Sequence, residues 1–498
     1  MEQSMRRCKM VACAFLLVAG LWHNGTASGF ENSGVGAPAR ALGGAFRAIA
    51  DDWTAAYYNP AGYAFIKDNQ LGGNFAFLHY RQELTPSYRW GGEYETGVFN
   101  DRANYNNHEI LSNPSAGFVV RLPVAGETVF GLSAYQPFDY NTTWDLYEPL
   151  QTYNDSLTLA QDQFRTNIDV VSFQLTAARS YLEDKLAVGL GLQLLRADML
   201  FNTLQFRQNP LWERDRGSIL VSRPYDKITE WAHHDGKGWG LGLRGGLLYK
   251  LNEKTNLAVT FSLPSTITVK GRARLEYYMP YNHAIRPEDS AGYLGGTVGN
   301  LFSAGSKVTD SADFESKLHL PRSLGFGLSW QASEKLRLSF DAEYVRWSGF
   351  SGWQFTYSGH QGLRGAADTA VAIRQFFQST TTVPINWESA GKVAVGLKYD
   401  LATRFSILAG GTADQSPLAN GQMVSPNLID TGDKYIFNLG GVLHVERWDL
   451  TMMTSYTSFP DHTTSAIFDW NGDKTPDTFP GAYKASLYET VMSFTYRF

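Results

Sequence analysis

Cysteine is nearly absent. The 498 residues hold 2, Cys8 and Cys13, both close to the start. A disulfide scaffold or a cysteine-ligated metal site is thereby excluded from everything downstream. Long apolar runs are missing as well. The run Met10–Leu21 is too short to span a bilayer as a stable helix, and no later stretch approaches the roughly 18 apolar residues a transmembrane helix needs. Neither sign of charge dominates: 43 Lys and Arg stand against 48 Asp and Glu, for a formal net charge of −5. With no basic patch interleaved with aromatics, nucleic acid is not an expected partner.

The start of the chain has a recognisable pattern. Arg6, Arg7 and Lys9 precede the apolar run, and the small residues Gly25, Ala27, Ser28 and Gly29 follow it. This is the order of a secretory signal peptide, with cleavage expected after Ala27 or Ser28. Cys13 stands too early for a lipoprotein cysteine, because the apolar core continues past it. The expected divisions are a signal peptide at 1–27, an N-terminal segment at 28–68 and one large unit at 69–498.

Aromatics and glycine are abundant, with 30 Phe, 26 Tyr, 13 Trp and 48 Gly. Aromatic girdles and glycine-bearing strands are features of membrane barrels. The chain ends on an alternating strand: Tyr488, Met492, Phe494, Tyr496 and Phe498 share one face, while Glu489, Ser493, Thr495 and Arg497 share the other. Similar alternation opposes Leu186, Val188, Leu190, Leu192 and Leu194 to Ala187, Gly189, Gly191 and Gln193. It also opposes Leu336, Leu338, Phe340, Ala342 and Tyr344 to Arg337, Ser339, Asp341 and Glu343. A strand with Arg, Asp and Glu on one face needs that face in water and the other in oil.

The pattern predicts 14 strands, near 70–81, 113–122, 128–137, 165–180, 186–206, 237–250, 256–275, 317–331, 336–350, 388–399, 404–415, 434–445, 449–459 and 483–498. Short connections (Pro123–Glu127, Tyr181–Lys185, Leu251–Thr255, Ala332–Lys335, Asp400–Thr403 and Glu446–Trp448) alternate with long ones, as in outer-membrane barrels. The fold class expected is all-β, a 14-stranded antiparallel transmembrane barrel, monomeric, surrounded by outer-membrane lipid and assembled through its C-terminal strand by the barrel-assembly machinery. Trp330, Tyr249, Tyr399 and Trp448 fall beside short turns and predict an inner girdle; Trp239, Trp347 and Phe350 predict an outer one.

Between Gly29 and Asp68 the alternation stops. Asp51 or Asp52 is placed to cap a short helix, and Pro60 to end it. The segment is too short to fold alone. It reads either as a plug inside the barrel or as a disordered tail, and composition leaves both open. Gly43-Gly44-Ala45-Phe46, Ala50-Asp51-Asp52 and Asn59-Pro60-Ala61-Gly62 resemble the hatch of the FadL/TodX family of outer-membrane transporters of hydrophobic compounds. Leu320-Pro321, Ser323-Leu324-Gly325, Trp347-Ser348-Gly349-Phe350, Val383-Pro384-Ile385-Asn386-Trp387 and Asp414-Gln415-Ser416-Pro417 are similar to further stretches of that family.

The resemblance implies a hatch that includes Asp51, Asp52, Asn59, Pro60, Ala61 and Gly62. It implies a ligand such as a long-chain fatty acid or an aromatic hydrocarbon, a ligand-pocket Phe near the mature N-terminus, here Phe30, and a sideways exit at a kinked third strand. On that strand Gly131 suits a kink and Pro137 a broken ladder. Passive transport of hydrophobic molecules follows, with no cofactor and no enzyme activity expected. A lipid-modifying enzyme or an adhesive surface barrel are the alternatives.

Other constellations point elsewhere. Asp469, Asn471, Asp473 and Asp477 in the last long loop have calcium-loop spacing, without the Gly at position six or the acid at twelve. His233-His234-Asp235 has metal-ligand chemistry on a predicted loop. His79, His319 and His444 are the histidines a hydrolase would draw on. Lys270, Arg272 and Arg274 alternate near the outer end of the seventh strand, where they meet either anionic head groups or the acidic outer leaflet.

Overall fold

The computed structural model describes residues 29–86, 103–106, 110–122, 128–146, 160–208, 227–278, 307–361, 380–385, 387–418, 426–427, 433–464 and 481–498. The signal-peptide expectation, the turn at 123–127 and the calcium-type loop with Asp469, Asn471, Asp473 and Asp477 lie outside these residues.

Antiparallel pairing runs from each spanning strand to the next and returns to the first, making a closed cylinder of 14 strands. They are β1 (Gln70–Pro86), β2 (Ile110–Arg121), β3 (Val129–Trp144), β4 (Phe164–Tyr181), β5 (Leu186–Gln208) and β6 (Lys227–Asn252). Then come β7 (Thr255–Pro264 and Ile267–Tyr278), β8 (Lys307–Leu318 and Arg322–Gln331), β9 (Leu336–Arg346 and Gly352–Ser358) and β10 (Thr381–Pro384 and Ala390–Ala402). The last are β11 (Phe405–Asp414), β12 (Lys434–Val445), β13 (Trp448–Ser458, continued by His462–Thr464) and β14 (Gly481–Arg497). Closure is between β1 and β14, in register from Gln70↔Arg497 to Pro86↔Gly481. Closure joins the first strand to the last, so the sheet has no terminal edge to leave open in lipid.

Side-chain alternation sorts the residues as the sequence pattern requires. Leu190, Leu192 and Leu194 face outward, while Ala187 and Gln193 are buried. Leu241 is 68% exposed, Phe437 61% and Leu439 58%. An apolar surface this continuous is stable only against hydrocarbon. Trp239, Tyr249, Tyr399 and Trp448 also point outward.

The structure corrects several sequence expectations. β1, β3, β6 and β8 extend further on the long-loop side than predicted, so His233, His234 and Asp235 lie on β6 and not in a loop. Trp347 and Phe350 are not girdle residues. The chain leaves β9 at Arg346 and turns, with Phe350 N–H donating to the Trp347 carbonyl at 2.8 Å. Trp347 continues the inward row of Asp341, Glu343 and Val345, and the turn brings Phe350 to the same side, so both rings are fully or almost fully buried.

The segment from Gly29 to Ile66 lies inside the cylinder. It contains α1 (Ala37–Ala41), α2 (Ala55–Tyr58) and a 3₁₀ helix, Pro60–Phe65. Its contacts reach strands on all sides: the Ala37 N–H donates to Ser493 on β14, the Arg47 guanidinium to Asp341 on β9, and the Asn59 amide to the Leu247 carbonyl on β6. Asp52 does not cap α2; its Oδ1 accepts from the Thr54 N–H at 2.8 Å and hydroxyl at 2.5 Å, fixing the turn before the helix. Asn59 caps the 3₁₀ helix by accepting from the Ala61 N–H at 3.1 Å, and Pro60 occupies its first turn, where a missing N–H costs nothing.

Candidate functional site

The luminal segment is held by buried charge. Arg47 pairs with Asp341 at 3.1 Å and with Glu343 at 2.5 Å, and its Nε donates to Thr260 at 3.1 Å. Arg40 meets Glu489 at 2.5 Å. Glu31 meets Lys392 at 3.1 Å, with Asp414 at 4.0 Å from the same ammonium. Arg47, Arg40 and Glu31 thus each have a counter-charge on the wall, the arrangement that makes a buried ion tolerable. Arg244 lies over the Tyr57 ring at 4.4 Å and also donates to the Tyr57 carbonyl. Asp52 has no cationic partner among the described residues: burial, with the neighbouring Asp51 carboxylate second, pushes its carboxyl up to about 7. Asp51 is exposed, 3.9 Å from Arg337.

Glycine at the wall lets the segment approach. A Cβ at Gly189 would lie 2.2 Å from the Pro60 carbonyl carbon, and one at Gly131 would lie 2.3 Å from the Tyr63 ring. Gly131 therefore provides room for Tyr63 and stays in register with Val119 and Thr176. The irregularity of β3 is further along. The β3–β4 register slips between Tyr135 and Phe138, placing Gln136 and Pro137 in a bulge.

At the same level β2 and β3 part. Their ladder runs from Arg121↔Val129 only to Ala116↔Ala134, although β3 continues to Trp144. The freed edge of β3 pairs instead with the luminal segment. Glu31 bridges Phe138, the Asn32 N–H donates to the Pro137 carbonyl at 3.0 Å, and the Asp139 N–H donates to the Phe30 carbonyl at 3.1 Å. On the outer surface a groove of about 610 Å³ lies over this parting. Leu71, Phe118, Leu132 and Leu175 line it, with Gln174 and Gln193 behind them.

Phe30 sits among aromatic rings. Its centroid is 4.9 Å from Trp347, 5.5 Å from Phe350, 5.9 Å from Trp387 and 5.9 Å from Phe138. These rings belong to an apolar cluster that fills the lumen on the long-loop side of the segment and continues through Trp353 and Phe355. A small cavity of about 110 Å³ lies beside Gly29 and residues 31–33, where Tyr140, Phe459 and Leu487 line it together with the charged Glu31, Asp139, Asp414, Lys434 and Glu489.

The adjacent histidines on β6 are accounted for by packing and hydrogen bonds, with His233 stacked on Trp231 and bonded to Asn202. His234 is buried, stacked on Phe355 at 3.8 Å and bonded to the Phe201 carbonyl and the Tyr357 hydroxyl. Among the described residues no group of three His, Cys, Asp or Glu side chains has metal-binding geometry. No local pattern signals that Ser406, His444 and Asp449 meet. His444 lies 3.3 Å from the Ser406 Oγ and 2.6 Å from Asp449. The order is that of a hydrolytic triad. Yet Ser406 is 1% exposed and its hydroxyl donates to Asp400 at 2.7 Å, so an acyl group has no access to it and its proton is held elsewhere. Lys270, Arg272 and Arg274 do not form a free basic stripe: they pair with Glu315, Asp313 and Glu276.

Comparison with known proteins matches this arrangement. The family profile described as outer membrane protein transport protein (OMPP1/FadL/TodX) covers residues 20–498. A FadL homologue from Pseudomonas aeruginosa superposes with a TM-score of 0.71 at 17% identity, covering 95% of this chain and 100% of that one. The P. putida toluene transporter TodX superposes with a TM-score of 0.65 at 14% identity, over 94% and 99% of the two chains. These likenesses concern the fold. In sequence, a putative outer membrane protein of Neisseria meningitidis serogroup B is 22% identical over 243 residues, 47% of either chain. The long-chain fatty acid transport protein of Escherichia coli K12 is 30% identical over 99 residues, 18% of this chain and 22% of that protein. The chain therefore aligns with less than half the length of these curated relatives.

Proposed function

Because this chain belongs to the OMPP1/FadL/TodX family of outer membrane transport proteins, we propose that it carries hydrophobic molecules passively across the outer membrane and releases them sideways into the bilayer. Residues 29–66 act as the hatch. The ligand class is that named among the relatives, a long-chain fatty acid or an aromatic hydrocarbon. The ligand enters from the long-loop side and dissolves in the aromatic cluster around Phe30, gaining roughly 0.8 kcal/mol per buried methylene. The rings around Phe30 pack against one another, and the cavity beside them, about 110 Å³, is smaller than the ~150 Å³ known to admit benzene. Entry therefore requires residues 29–33 to move, and Phe30 with them. Since these residues occupy the edge of β3, their departure uncovers the parting between β2 and β3.

The parting of that ladder at Ala116↔Ala134, with residues 30–32 seated on the exposed edge, is the observation that carries this reading. A disulfide across it provides the test. Ser115 and Tyr135 would be the next pair of an uninterrupted register, so Ser115→Cys with Tyr135→Cys, once oxidised, ties the strands together. Uptake of radiolabelled oleate or toluene by cells should fall on oxidation and return with reductant. Uptake that ignores the oxidation state removes the lateral step.

A further inference from the structure

On the outward face of β7, β8 and β9, most cations have a nearby acid. Lys270 pairs with Glu315, Arg272 with Asp313 and Arg274 with Glu276. Two arginines lower on the same face break this rule. Arg322 on β8 and Arg346 on β9 stand directly opposite each other in the antiparallel register. Both are exposed, and neither has an acidic partner among the described residues. Directly opposed side chains have Cβ atoms about 4.5–5.5 Å apart, and like charges so placed repel. Lys317, also exposed and unpaired among the described residues, follows on the outward row of β8. His319, between them, is bonded to Thr266 at 3.0 Å.

Their height is informative. From Arg322 to the short turn after Gln331, β8 runs 10 residues. At about 3.3 Å per residue and a tilt of roughly 35–45°, that is about 21–24 Å along the membrane normal, against an apolar band about 25 Å tall. The residues just below agree: Leu324, Phe326, Tyr344 and Leu263 are exposed and apolar. The two guanidiniums therefore stand at the outer edge of the hydrocarbon, where lipid head groups begin.

We propose that Arg322 and Arg346, assisted by Lys317, form a binding site for the phosphate of an outer-leaflet lipid, whose acyl chains lie over Leu324, Phe326 and Leu263. A phosphate between the guanidiniums would turn their repulsion into two charge-assisted contacts with planar donors suited to its oxygens. The paired cations higher on the wall have no such need, which is why the site belongs at the apolar edge. It is independent of what passes through the lumen.

The probe is bisphosphorylated lipid A, added to detergent-solubilised protein and followed by native mass spectrometry. Dephosphorylated lipid A and inorganic phosphate are run alongside. Wild type should retain the phosphorylated lipid about tenfold better than the dephosphorylated one, and Arg322→Gln with Arg346→Gln should remove that preference. Lys270→Gln, which breaks a compensated pair, should leave it in place. The single variants Arg322→Gln and Arg346→Gln guard against a misfolded double variant, each being expected to lose part of the preference. Equal retention by wild type and the double variant overturns the site. Inorganic phosphate displacing the lipid completely at millimolar concentration overturns its assignment to a lipid.

Discussion

Replacing Arg47 with Ala should unlatch the hatch without unfolding the barrel. The guanidinium is nine-tenths buried and joins two wall carboxylates, Asp341 at 3.1 Å and Glu343 at 2.5 Å. Removing it leaves both carboxylates facing a docked segment with no counter-charge. Breaking a buried pair in this way costs about 3–5 kcal/mol. The loss falls on the docked state alone, because carboxylates on an undocked wall regain water. The undocked population should therefore rise by roughly two to almost four powers of ten. The assay is amide exchange of residues 42–64 together with conductance in planar bilayers, against a barrel whose heat-modifiable gel mobility stays normal. Protection should fall and brief openings should appear. A second variant checks the cause: Arg47→Met with Asp341→Leu and Glu343→Leu removes all three charges and should restore most of the protection. If Arg47→Ala exchanges and conducts like wild type, charge pairing does not hold the hatch.

Two more predictions concern the same docking. Asp52 has its carboxyl raised to about 7 in the docked segment, against about 3.9 when free. Between these values the docked state holds a proton that the undocked state has lost, so docking weakens as pH rises from about 4 to 7 and levels off above. Exchange protection, corrected for intrinsic rates, should follow that course and flatten in Asp52→Asn; protection that increases with pH contradicts the assignment. At Gly189 an added Cβ would press on the backbone of Pro60 and Ala61 at 2.2 and 2.3 Å. Gly189→Ala should cost about 1–3 kcal/mol of docking and speed proteolysis within 29–66, while Gly349→Ala, with nothing within 4 Å, should behave as wild type.

Much of the cylinder can be read from the chain because lipid imposes a rule that sequence records. Leu190, Leu192 and Leu194 must face oil, and the residues between them must not. The number of strands and the order of short and long connections follow. The rule lapses beyond the membrane, where both strand faces meet water or protein. The outer ends of β3 and β8 still alternate, but their outward faces turn polar (Asp139, Asn141 and Thr143; Asp313, Glu315 and Lys317) and so do not read as membrane strand, and His233 and His234 on β6 read as loop residues. Trp347 and Phe350 carry the belt's signature, but Trp347 falls on the inward row of β9 with Asp341 and Val345, and Phe350 lies past a turn that reverses its direction. Phe30 is traceable only through family resemblance. Arg47 with Asp341 and Glu343, the facing pair Arg322 and Arg346, and the Ser406–His444–Asp449 chain leave no local mark, since strand register alone brings them together. Pro137 marks the bulge on β3, whereas Gly131 serves Tyr63.

Residues 29–66 must close the lumen if a hatch controls passage. Conductance of the full chain and of a variant lacking 30–60, both reconstituted in planar bilayers, tests that most directly. The full chain should be almost silent and the deletion should conduct steadily. A deletion that stays silent, or a full chain that conducts as freely, would contradict it.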